Sequence, residues 1–79
     1  MFLQNCYFDE DTNHVKVILA DGRFLSINAI AVENELAETW LDRRELDFLL
    51  YNEPKSYVEL LLTGRMEEYL NTVREGEKF

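Results

Sequence analysis

A single cysteine, a single histidine and a single proline in 79 residues remove whole classes of chemistry before any pattern is considered. One Cys excludes an internal disulfide framework and any zinc site built on several thiolates. One His removes most catalytic triads and most transition-metal shells. The three glycines, Gly22, Gly64 and Gly76, stand too far apart to form a phosphate-cradling loop. No apolar run approaches the roughly 18–20 residues of a membrane span. Basic residues are scarce as well: eight Lys and Arg face sixteen Asp and Glu, for a net charge of −8. That excess repels phosphate backbones and anionic lipid surfaces, so it disfavours nucleic acid and membrane as direct partners and permits a basic protein. The opening Met1-Phe2-Leu3-Gln4-Asn5 has no basic segment leading into an apolar run. It therefore predicts no secretory leader, and a cytoplasmic location is expected.

What is present is enough for one core. Apolar and aromatic residues make up 47% of the chain. That share argues against disorder over most of the length, and a domain of this size buries roughly 63% of its open-chain surface. Val15, Val17 and Leu19 alternate with His14, Lys16 and Ile18, the period of a strand buried mainly on one side. Asp9-Glu10-Asp11-Thr12-Asn13 is a turn that joins it to a preceding strand over 3–8. Asp21-Gly22 predicts a type I′ hairpin leading into a third strand over 23–28. From Ala29 the period becomes helical. Val32, Leu36 and Trp40 fall within an arc of about 80°, and Asp42-Arg43-Arg44-Glu45 has the form of a capping box with Asp42 as N-cap. Pro54 predicts a fresh helix start, Thr63-Gly64 a helix end, and Met66, Tyr69, Leu70 and Val73 one face of a last helix that Gly76 stops. The expected architecture is a single α+β domain over 1–79. Residues 1–28 form a three-stranded antiparallel β-meander, 29–75 form three or four short helices packed on one face of the sheet, and 76–79 form a frayed tail. The expected core contains Val15, Val17, Leu25, Ile27, Leu36, Leu46, Leu49, Leu61 and Leu70.

Candidate catalytic and metal-binding groups are few. Asp9, Asp11 and Asn13 occupy the first, third and fifth places of a calcium loop, but His14 stands where Gly is required and Ala20 where Glu is required. His14 with Asp9 and Asp11 makes at most a weak divalent site. Cys6 is followed by acidic residues and reads as a small buried apolar group. Ser26 and Ser56 lack the glycine context of a nucleophile elbow. Glu35 with Glu38, and Asp42 with Glu45, share helix faces at i, i+3 spacing, and a solvated face accounts for them. No cofactor is implied, and no enzyme.

One feature exceeds what a core requires. Phe48 and Tyr51 lie opposite Leu46, Leu49 and Leu50 on one helix, and Arg44 projects between them. If the helix ran unbroken from Ala31, Ala37, Trp40, Leu41, Arg44, Phe48 and Tyr51 would form one stripe. Aromatic residues with Arg are the composition enriched in binding hot spots, which marks Trp40, Arg44, Phe48 and Tyr51 as candidate partner-binding residues. The competing expectation is that the helix is sandwiched between sheet and later helices. In that case its aromatic side chains fill the core, with Trp40 joining Val32 and Leu36.

The blocks Ala31-Val32-Glu33-Asn34-Glu35, Arg44-Glu45-Leu46-Asp47-Phe48-Leu49-Leu50-Tyr51-Asn52-Glu53-Pro54, Tyr57-Val58-Glu59-Leu60 and Glu67-Glu68-Tyr69-Leu70 carry a resemblance. With the Asp21-Gly22 hairpin, the chain resembles a family of short acidic uncharacterised proteins carried on conjugative and integrative mobile elements of gut Gram-positive bacteria. The resemblance implies a mobile-element setting and a bacterial cytoplasm, and it carries no activity. The expected function is a small non-catalytic protein-interaction module, an accessory protein of the mobile element that binds another protein, a basic one included, or a second copy of itself. The alternative is an acidic inhibitor or nucleic-acid mimic that fills a basic groove. Its basis is that residues 33–79 hold twelve of the sixteen acidic residues against six of the eight basic ones.

Overall fold

Turn chemistry and alternation build the sheet first. A computed structural model describes residues 3–76, with strands β1 (Leu3–Asp9), β2 (His14–Leu19) and β3 (Phe24–Asn28) followed by four helices. The helices are α1 (Ala29–Leu36), α2 (Trp40–Asn52), α3 (Pro54–Leu62) and α4 (Met66–Gly76). The strands form an antiparallel meander in the order β1-β2-β3, so the expected α+β architecture is the observed one. In the first turn the Asp9 carboxylate accepts the Asp11 N–H at 3.0 Å, and Asn13 takes a positive φ of 58°. Asn is among the few residues that tolerate that conformation. The second turn differs from the expected type I′, which needs positive φ at both central residues. Only Gly22 is positive there, at 90°. Gly22 N–H donates to the Leu19 carbonyl at 2.9 Å and Leu19 N–H to the Arg23 carbonyl at 2.8 Å, closing a three-residue loop whose glycine takes the left-handed place.

Asn28 ends the sheet and starts the helices. Its side-chain oxygen accepts the N–H groups of Ile30 at 3.0 Å and Ala31 at 3.1 Å, the pattern of an N-cap. The helix then stops at Leu36, with Ala37 extended, so the unbroken helix through Trp40 does not form. Nor is Asp42 the N-cap of α2. Thr39 is, and its side chain accepts the Asp42 N–H at 3.2 Å. The Asp42 carboxylate reaches back to the N–H groups of Thr39 at 3.3 Å and Glu38 at 2.9 Å. The capping box therefore exists three residues earlier than expected, because Asp at the third helical position can bond backward as Glu does. Pro54 opens α3, where its missing N–H is no loss, and Gly64 at φ 72° turns the chain into α4.

The helices cover the face of the sheet that carries Val15, Val17 and Leu19, and these pack with Leu46, Leu49, Leu50, Tyr57, Val58, Met66 and Leu70. Of the expected core, Val15, Val17, Leu46, Leu49 and Leu70 are buried. Ile27, Leu36 and Leu61 are only partly buried, and Leu25 is 39% exposed. The reason is lateral: α3 packs over β1 and β2 and α1 over β2, leaving β3 at the margin. Gly76 lies within α4, and the remainder of the expected tail, residues 77–79, lies outside the described residues. No helix among the described residues is long and apolar enough to cross a membrane.

Candidate interaction surface

The helical period brings the candidate residues together once the frame of α2 is known. Trp40, Arg44, Phe48 and Tyr51 stand at i, i+4, i+8 and i+11, which spans about 80° of the helix circumference. Leu46, Leu49 and Leu50 point into the core from the other side. Trp40 is 67% exposed, Phe48 52% and Tyr51 60%, so none of the three fills the core. Trp40 does not join Val32 and Leu36. The break at Ala37 resets the phase, places Trp40 at the first position of a new helix and leaves it the most exposed of the three.

Arg44 does not sit between Phe48 and Tyr51 but folds back along the helix. Its guanidinium carbon lies 4.8 Å from the centre of the Trp40 ring. At an exposed site such stacking contributes about 0.5–1 kcal/mol, enough to bias both side chains toward one arrangement. At the other end Tyr51 meets Phe8 of β1 edge-on, with ring centres 5.3 Å apart and planes at 84°. A shallow hollow lined by Leu41, Arg44, Glu45, Phe48 and Val73 borders the stripe on the α4 side. The surface thus has aromatic faces, one cation and a neighbouring depression.

The acidic pairs have structural duties that spacing did not reveal. Asp42 is fully buried, and its second oxygen lies 3.0 Å from Nε of Arg74 on α4. The contact is an ion pair rather than a directed hydrogen bond, since neither atom meets the angular demands of one. The same guanidinium reaches Glu38 at 3.0 Å. Glu45 accepts the hydroxyl of Tyr69. Burial, then that hydrogen bond and the carboxylate charge, push the Tyr69 phenol up to about 12. Asp42 and Glu45 are thus not a solvated face, as expected from sequence, but two ties between α2 and α4.

Elsewhere little converges. Burial pushes the Cys6 thiol above its ordinary value, partly offset by Lys55, and a protonated thiol is a poor nucleophile. His14 Nδ1 contacts the Thr12 carbonyl at 2.7 Å within its own turn. Among the described residues no three His, Cys, Asp or Glu side chains gather as a metal site. Two features escaped the sequence reading. Tyr57 is fully buried, and its hydroxyl meets no hydrogen-bonding partner among the described residues. The uncovered face of the sheet carries Tyr7, Ile18 and Phe24 around a hollow of about 300 Å³.

Searches of curated proteins and of solved structures found no match. One family model, described as a family of unknown function (DUF6061), matches residues 2–79. With all but the first residue covered, the chain belongs to the DUF6061 family, whose function is unknown.

Proposed function

We propose that the protein is a small non-catalytic interaction module that docks on another protein through the α2 stripe. One observation carries this reading: three large aromatic side chains, each more than half exposed, line one helix face, with Arg44 stacked on Trp40. A fully exposed aromatic residue has roughly 150–250 Å² to bury, and each of these keeps more than half of its surface open. Three of them supply much of the central anchor of an interface that covers about 800 Å² per partner. Placing them on a helix capped at its start fixes their spacing before a partner arrives. The excess of acidic over basic residues steers approach toward a basic partner without being the source of the contact energy. The setting we infer is the bacterial cytoplasm, with the protein serving as an accessory of a mobile element.

Affinity capture with the full chain, followed by titration of the captured protein, tests the reading. Phe48→Ala should change folding stability by less than about 1 kcal/mol while weakening association by about 2 kcal/mol or more, roughly 30-fold. Arg44→Ala should weaken the same association through lost stacking and charge. The complex should also persist in high salt, whereas an acidic mimic in a basic groove would release its partner steeply. Equal binding by wild type, Trp40→Ala and Phe48→Ala would remove the stripe from consideration.

A further inference from the structure

The two edges of the sheet are unequal. β1 has a register irregularity between Leu3 and Asn5, and α3 packs against it. Bulges and covering elements are the usual means by which an edge avoids pairing with another chain. β3 has no bulge against β2, and among the described residues no helix packs extensively on it. Its register against β2 runs without a shift from Phe24 to Asn28, and the strand contains no Pro, no Gly and no charged residue. Phe24 is 76% exposed, and Leu25 remains partly open although it sits on the core-facing side.

The hydrogen-bond ladder says which backbone groups are free. Leu19 N–H donates to the Arg23 carbonyl, and Ala29 N–H to the Asn13 carbonyl. Bonded pairs alternate along an antiparallel ladder, so 17 with 25 and 15 with 27 are bonded pairs between these two. Leu25 and Ile27 therefore direct their backbone groups at β2. Phe24, Ser26 and Asn28 direct theirs outward, to the open edge.

We propose that β3 pairs antiparallel with β3 of a second copy about a two-fold axis at Ser26, joining two three-stranded sheets into one of six strands. Only this register and its even-numbered shifts match outward donors with outward acceptors, and the axis at Ser26 uses all of them. Ser26 faces its own counterpart, and Phe24 faces Asn28 of the second copy. Leu25 then stands opposite the second copy's Ile27 on the core-facing side, extending the layer of Val15 and Val17 across the axis. The edge itself is uncharged and suits an equally uncharged strand, which β3 of a second copy supplies. Residues 24–32 hold no ionisable side chain, so a charged peptide finds nothing to pair with. Two chains of net charge −8 approach with least repulsion at their longest uncharged stretch. The surface is separate from the α2 stripe, and the two proposals stand or fall independently.

Sedimentation of the full chain from micromolar to millimolar concentration tests the pairing, with amide exchange recorded at both ends of the range. The expected result is a mass that doubles with concentration, with slowed exchange at the Phe24, Ser26 and Asn28 amides in the doubled species. Added salt should strengthen association, because it screens repulsion between two acidic chains and disturbs no ion pair at the contact. Ser26→Pro removes an outward donor while sparing the bonds to β2, and it should weaken association at least about tenfold. Ser26→Glu, which sets like charges opposite each other across the axis while remaining able to pair with Lys16 of its own chain, should do the same. The melting curve of each variant at low concentration checks that the monomer is folded, and Phe48→Ala should leave the doubling unchanged. A chain that stays single at every concentration overturns the proposal. So does a doubling that survives both Ser26 variants.

Discussion

Replacing Tyr57 by Phe should stabilise this protein, although Tyr57 is among its most deeply buried side chains. The ring packs in the core, but its hydroxyl finds no hydrogen-bonding partner among the described residues. A buried hydroxyl left unpaired costs about 1–3 kcal/mol of desolvation, and Phe keeps the ring without that cost. A gain of about 1 kcal/mol is expected, which for a domain of this size raises Tm by roughly 4–8 °C. The alkaline limb provides a second reading. Burial, with the charges of Glu33 and Asp47 adding to it, pushes the Tyr57 phenol up to about 12. Below pH 10 both folded and unfolded chains keep the phenolic proton. Between pH 10 and 12 the unfolded chain releases it first, so stability falls across that window, by about 1.4 kcal/mol at pH 11 for one such group. Urea titrations at pH 7 and pH 11 should show Tyr57→Phe more stable at both and losing less between them, with the Tyr69 share of the limb retained. A Phe variant less stable than wild type by 1 kcal/mol or more would falsify the argument, because the hydroxyl would then be bonded in the folded protein.

Two other substitutions probe the packing. Asp42→Ala should cost about 2–3 kcal/mol in a denaturant titration, since it removes the acceptor for two backbone donors and leaves Arg74 with Glu38 as its partner, and Asp42→Asn should recover the capping part alone. Leu70→Ala should cost about 2–5 kcal/mol and Leu61→Ala distinctly less, because Leu70 is fully buried and Leu61 lies at the margin of the core. Similar losses at the two positions would mean that the margin is packed as tightly as the centre.

The strands were legible because each is fixed by local signals: alternation in β2 and turn residues on both sides of it. The helices α3 and α4 were legible for the same reason, through Pro54, Gly64 and the spacing of Met66, Leu70 and Val73. The frame of α2 was not, because two capping boxes compete in the sequence and only tertiary contact decides between them. Asp42 can cap its own helix from the outside or bond backward from within, and the ion pair with Arg74, 32 positions away, favours the second. Placing Trp40 depended on that choice. The exposure of Leu25 was equally hidden, since alternation reports which face of a sheet a residue occupies and not how far the covering helices extend across it. Arg44, Phe48 and Tyr51 share one face in either frame, because their mutual spacing is the same whichever residue caps the helix.

The buried Asp42 carboxylate ties two events that are often separate. It closes the first turn of α2 and it holds Arg74 of the last helix, so the turn that bears Trp40 cannot fray without releasing the end of the chain's fold. Opening of that turn should therefore be coupled to loosening of α4, and the bonded amides of Glu38, Thr39 and Asp42 should exchange more slowly than those of Trp40 and Leu41 in the same turn. A rod anchored in this way loses little conformational entropy when a partner covers it, because its backbone is already still. Selectivity would then rest on the fixed spacing of the side chains it carries, and a partner of the wrong shape could not be accommodated by bending the helix.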